Sequence, residues 1–139
     1  MYADASPEEV VRRFMAAIND HDVEAILALM TDDHRYTDAT GGSISGPDPL
    51  RAAWQGYFAW FPNYEISAEE VIASGNRVAV FGHAGGTFAL GPGSVADNTW
   101  YLPAAWLADV RGDRVAHWRV FCDTEPIWTI MRRVGQVLA

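Results

Sequence analysis

The chain has 139 residues, half of them apolar, a formal net charge of −8 and one cysteine, Cys122. This is the size of one ordinary domain, residues 1–139, with ample material for a core. Its acidity disfavours nucleic acid and anionic membranes as partners, and a lone cysteine allows no intrachain disulfide, in keeping with a reducing cytoplasm.

Ser6-Pro7-Glu8-Glu9 reads as a helix start, with Ser6 as cap and Glu9 completing a capping box. No basic leader precedes it and no long apolar run follows, so neither a signal peptide nor a transmembrane span is expected. Val10, Phe14, Ala17 and Ile18 then share one helical face. Asn19 to Asp22 breaks that helix. A short second one is expected behind Asp22, with Ile26, Leu29 and Met30 inward and Thr31-Asp32-Asp33 as its end.

His34 to Asp38 reads as a strand that puts Tyr36 and Asp38 on the same face. Thr40 to Gly46 reads as a loop. A third helix is expected from Pro47 to Phe61, with an aromatic stripe of Trp54, Tyr57, Phe58 and Phe61 beside Leu50; Pro62 ends it. Four strands follow: Tyr64–Ala73, Arg77–Phe88, Asn98–Val110 and Val115–Cys122. Gly75-Asn76, a glycine-rich loop containing Gly91-Pro92-Gly93, and Gly112-Asp113 join them. A last helix runs from Glu125 to Val137.

Helices followed by an antiparallel meander make an α+β domain. A strongly curved sheet with helices across its concave face leaves a cone-shaped pocket. Six tryptophans in so short a chain suggest that aromatic rings line it.

The chain has no CxxC, no HExxH and no phosphate-binding glycine loop. Its four histidines lack ligand spacing, so no metal and no cofactor are expected. His21, His34 and His117 read as surface or rim groups. His83 lies mid-strand among Gly82, Ala84, Gly85 and Gly86, which leave room for a ligand. It is either a rim group or an acid/base partner inside the pocket. Asp38 is either the cap of the Thr40-Gly41-Gly42 turn or a desolvated carboxylate of raised pKa. Tyr36 is either core or a hydrogen-bond donor. Trp54, Tyr57, Phe58, Phe61, Trp118, Val120 and Cys122 read as pocket wall or core. Asn98 and Trp100 offer N–H donors or edge positions.

Three runs carry a resemblance: Val10-Val11-Arg12-Arg13-Phe14, then Asn19 to Ile26, then Thr31 to Gly41 with its Tyr-Thr-Asp-Ala-Thr-Gly ending. With Trp106 to Asp123, they make the chain similar to the ketosteroid isomerase and SnoaL-like polyketide cyclase superfamily. The resemblance implies a cystatin-like α+β barrel and a homodimer paired through the outer sheet face. Its implied ligand is a small apolar polyketide-, terpenoid- or steroid-like molecule. It further implies cofactor-independent isomerisation, cyclisation, dehydration or hydration, with Asp38 as general base and Tyr36 or His83 stabilising charge. Phe14, Trp54, Tyr57, Phe58, Phe61, Trp100, Trp118, Val120 and Cys122 would hold the substrate. By the same analogy Trp118, Val120 and Cys122 face inward, and Arg119 and Asp123 outward. The chain departs from the isomerases at Phe14 and Ala104, where they carry the tyrosine and the protonated aspartic acid that donate to the enolate. It also lacks the Arg-x-Asp and Trp-Arg-Asp runs of the limonene-epoxide hydrolases, reading His83-Ala84-Gly85 and Trp118-Arg119-Val120 instead. A non-catalytic binding domain with the same pocket is the alternative.

Overall fold

The structure, a computed structural model, describes residues 5–89 and 95–138, the side chains of the last three excepted. Gly91-Pro92-Gly93 and the first four residues lie outside the described residues.

α1 (Pro7–Asn19) begins as its capping box predicts, with the Glu9 N–H donating to Ser6 Oγ over 3.2 Å. It buries Val10, Val11, Phe14, Met15, Ala17 and Ile18. α2 (Val23–Ala28) is capped by Asp22, whose carboxylate accepts from the Ala25 N–H over 3.1 Å. The chain continues as β1 (Met30–Thr37), β2 (Ser43–Ser45), α3 (Pro47–Trp60), β3 (Glu65–Ser74), β4 (Arg77–Thr87), β5 (Thr99–Arg111), β6 (Arg114–Cys122) and α4 (Glu125–Leu138).

One six-stranded sheet runs in the order β2-β1-β6-β5-β4-β3. The α+β expectation holds, with three differences. The segment from Thr40 to Gly46, expected to be a loop, contributes the short edge strand β2. The sheet is mixed, because β1 lies parallel to β6 while every other pair is antiparallel. It is also curved but unclosed, ending on β2 and β3. The Val115 N–H donates to Leu29 O over 2.7 Å, so pairing starts immediately after α2. Thr31-Asp32-Asp33 therefore belongs to a strand, with Met30 and His34 both buried. Turn signals identify neighbours joined by hairpins. They carry no information about a parallel pair separated by most of the chain.

A β-bulge between Ala68 and Glu70 bends β3 across β4. A Cβ on Gly82 would lie 1.8 Å from Ser67 O, so only glycine permits this close approach. α1 packs on the concave face against β3 to β6. The core beneath it includes Trp106 and Trp118, whose rings stack at 6.2 Å.

Candidate functional site

The concave face, α3 and α4 enclose a cavity of about 510 Å³. β1 contributes Tyr36, and Asp38 follows it at the strand end. α3 contributes Trp54, Tyr57 and Trp60, with Phe61 and Tyr64 just beyond it. Trp106 comes from β5, Trp118 and Val120 from β6, and Ile127, Trp128 and Met131 from α4. Trp60 and Trp128 remain 41% and 45% exposed, which puts them at the mouth.

Asp38 is built into a tight turn. Its N–H donates to Gly42 O over 2.9 Å, and the Gly41 N–H donates to Asp38 O over 3.0 Å. Gly41 has φ +94°, which favours glycine. Asp38 Oδ1 accepts from the Thr40 N–H (2.9 Å), the Thr40 hydroxyl (2.7 Å) and the Gly42 N–H (3.0 Å). The turn and the cavity positions that were alternatives for Asp38 thus coexist. Its protonation differs from the desolvated reading. Partial burial pushes the carboxyl up, but the hydrogen bonds from Thr40, Gly42 and Gly41 outweigh it and hold the group below its ordinary value.

Three phenols line the same space. Burial and the neighbouring Asp38 charge push Tyr36 up to about 12. Burial likewise pushes Tyr57 and Tyr64 upward, and the two hydroxyls interact. Their rings meet edge to face at 4.8 Å, and Tyr36 meets Trp54 at 6.0 Å. All three hydroxyls therefore remain protonated donors at neutral pH.

His83 is a correction. β4 alternates, with Val80, Gly82 and Ala84 inward and His83 on the opposite face. There its Nδ1 contacts Glu69 and its ring stacks on Tyr101 at 4.6 Å. On the inner face the Ser67 carbonyl closes on Gly82, and Phe61 and Trp100 close on Gly86; the open space beside His83 is a separate hollow that Gly85 and Gly86 also border. Asp38 and His83 cannot form an acid/base pair across the sheet.

Of the expected wall residues, Tyr36, Asp38, Trp54, Tyr57, Phe61, Trp118 and Val120 border the cavity. Phe14 does not. It is fully buried behind Trp118, with ring centres 5.0 Å apart. Phe58 is covered by the stacked ring of His21 at 4.1 Å. Trp100 packs on Phe61 at 5.4 Å and borders a second hollow of about 310 Å³ with His83 and Tyr101. Cys122 is half-buried outside the lining, its thiol pushed up by burial and by Asp123.

Asp123 accepts from the Glu125 N–H and starts α4. Asn98 is buried, and its Oδ1 accepts from Arg133. His34 is also a correction: it is 1% exposed rather than a rim group, because β1 begins four residues before it and turns it under α1. Sequence reasoning missed Trp60, Tyr64, Trp106 and Trp128 as wall residues. Alternation with Ala104 and Ala108 marks Trp106 as inward-facing; the other three have no local signal.

Among the described residues, no three His, Cys, Asp or Glu side chains gather where they could hold a metal ion. Nor is any helix among them long and apolar enough to cross a membrane.

The SnoaL-like domain family matches residues 11–118. The chain belongs to that family. No curated protein matches it. Solved structures similar to this SnoaL-like domain share its fold at low identity. One is a protein with a ketosteroid isomerase-like fold from Catenulispora acidiphila, in complex with trimethylamine. It has TM-score 0.75 and 20% identity, over 91% of this chain and 92% of that one. A protein named as a SnoaL-like polyketide cyclase from Jannaschia sp. has TM-score 0.74 and 21% identity, over 96% and 98%. An M. tuberculosis LEH-like epoxide hydrolase has TM-score 0.73 and 16% identity, over 95% and 93%. Phe14 and Ala104 are both buried, and neither borders the cavity.

Proposed function

We propose that this SnoaL-like domain processes a small, mostly apolar molecule by acid/base chemistry without a cofactor. The reaction would be an isomerisation, cyclisation, dehydration or hydration of a polyketide-, terpenoid- or steroid-like compound. The observation that carries this reading is the meeting of one ionised carboxylate with three protonated phenols inside one aromatic cavity. Asp38 takes a proton from carbon, and Tyr36, close enough for its hydroxyl to feel the Asp38 charge, donates to the oxygen on which negative charge develops. Tyr57 and Tyr64 then stand in for the donors that Phe14 and Ala104 cannot provide. The aromatic walls orient the molecule and exclude water. The cyclase and epoxide-hydrolase names of the structural neighbours lean the same way.

The test is turnover of enones, epoxides and hydroxyaromatics by the parent, Asp38→Asn and Tyr36→Phe. Losing a donor to a developing oxyanion lowers the rate roughly a hundredfold to a thousandfold. Asp38→Asn should abolish turnover and leave the affinity for these neutral compounds intact; turnover that survives Asp38→Asn refutes the role of Asp38.

A second reading, binding without catalysis, is favoured by the three donors that already occupy Asp38 Oδ1 and lower its basicity. It expects saturable binding and no turnover in the parent.

Pairing of two copies through the outer sheet face is part of the same proposal. That face carries a direct cross-strand row, Phe81–Ala105–Phe121, with Phe81 44% and Phe121 47% exposed.

A further inference from the structure

The electrostatics of the cavity are one-sided. Among the described residues that line it, Asp38 is the only formally charged one, and no arginine, lysine or histidine joins it. The groups that lower its pKa are hydrogen-bond donors of its own turn, not cations. The Thr40 N–H, the Thr40 hydroxyl and the Gly42 N–H all donate to Oδ1. Oδ2 has no hydrogen-bond partner among the described residues. It lies beside Gly42, where a Cβ would stand 3.0 Å away. The turn therefore fixes an ionised carboxylate and leaves one oxygen without a counter-ion.

The rest of the wall has the same sign. Tyr36, Trp54, Tyr57, Tyr64 and Trp118 contribute aromatic rings, and the face of an aromatic ring is the negative end of its quadrupole. Phenols held protonated add lone pairs without adding positive charge. The turn donors already stabilise this anion, and a positive partner would add an attraction that a neutral molecule cannot supply. A bare divalent ion is a poor candidate, since hard cations demand several oxygen ligands and the wall offers one carboxylate. An organic cation fits both features, because it can lie on ring faces and pair with a single carboxylate.

We propose that the molecule this cavity takes carries a positive charge, an ammonium or iminium centre, seated on the aromatic faces with the Asp38 carboxylate as its counter-ion. The inference rests on the cavity being the ligand site, and does not require Asp38 to move a proton. It is compatible with proton transfer, since a cationic centre acidifies the C–H bonds beside it. The net charge of −8 draws such a ligand toward the protein.

The test compares two probes of the same shape: benzyltrimethylammonium and its neutral carbon isostere, neopentylbenzene. Each is titrated at fixed ionic strength while the fluorescence of the wall tryptophans is followed. The cation is expected to bind at least tenfold more tightly. Asp38→Asn, checked for folding by circular dichroism, should remove most of that preference and leave the neutral probe unchanged. Trp54→Leu should weaken the cation more than its isostere. Equal affinities, or tighter binding of neopentylbenzene, overturn the inference and leave the cavity as a site for neutral molecules. A cation preference unchanged in Asp38→Asn overturns the counter-ion role. Failure of both probes to bind at saturating concentration overturns the inference together with the proposed function.

Discussion

Thr40 donates twice to the same oxygen of Asp38, once from its backbone N–H and once from its hydroxyl. Hydrogen bonds to a charged group contribute about 1.5–3 kcal/mol each, and one pKa unit corresponds to about 1.4 kcal/mol. Thr40→Val keeps the backbone donor and deletes the hydroxyl. The Asp38 carboxyl should rise toward its ordinary value, measured by carbon-detected NMR titration. The folded group sits below its ordinary value of 3.8, so the stability it contributes is present above that value and lost as pH falls through the folded pKa. Thr40→Val should shrink this acid-labile portion. An unchanged titration would mean that the backbone donors alone set the carboxylate.

His34 predicts a second pH dependence in the neutral range. It is buried beside Phe14, and its Nδ1 lies 2.6 Å from Val115 O. Burial is the main cause that lowers its pKa below 6.5; the His117 charge adds to it, and the Val115 bond and Asp33 oppose it. The unfolded chain therefore takes up this proton before the folded one. Stability should be full above about pH 6.5 and fall as pH drops from there toward the folded pKa. His34→Gln keeps a side-chain N–H for Val115 O and cannot titrate. Its melting temperature should change less between pH 7 and pH 5 than that of the parent.

Two glycines should respond in opposite directions to alanine. A Cβ on Gly82 meets the Ser67 carbonyl at 1.8 Å, and backbone at a bulge has little freedom to yield. Gly82→Ala should cost about 3 kcal/mol or prevent folding. Gly56 lies inside α3, with nothing within 4 Å of its would-be Cβ. Gly56→Ala should add about 0.5–1 kcal/mol. Urea denaturation of both variants checks the pair.

The cavity phenols give a spectroscopic prediction. Tyr36 titrates near 12, and burial raises Tyr57 and Tyr64 as well. At pH 11 the folded protein should show little phenolate absorbance from these three. Tyr36→Phe, Tyr57→Phe and Tyr64→Phe should therefore each leave the absorbance step below pH 11 unchanged. Unfolding in guanidinium should release all three into the ordinary range near 10. A step below pH 11 that disappears in any of these variants would contradict the burial of that hydroxyl.

The outer-face pairing is checked by sedimentation. The parent should be dimeric at micromolar concentration. Phe121→Glu, at an exposed position of β6, should yield monomer with the cavity and its ligand binding intact.

The sequence by itself determined what short-range physics controls. Ser6-Pro7-Glu8-Glu9 fixed the start of α1, and Pro62 follows the end of α3. Strand alternation put Tyr36 with Asp38, and Trp118 with Val120, on faces that do border the cavity. The Asp38-to-Gly42 turn was legible because aspartate and glycine satisfy their own backbone locally. Alternation divides a strand into two faces but does not say which is concave. Only the tertiary structure decided that His83 looks away from the cavity, because the curvature of the sheet puts Val80, Gly82 and Ala84 on the inner face of β4. Likewise, only the fold lays β1 parallel to β6 and brings Trp128 of α4 and Trp60 of α3 to the wall of one cavity. These contacts join segments far apart in the chain, and their geometry follows from the curvature of the whole sheet rather than from any local pattern.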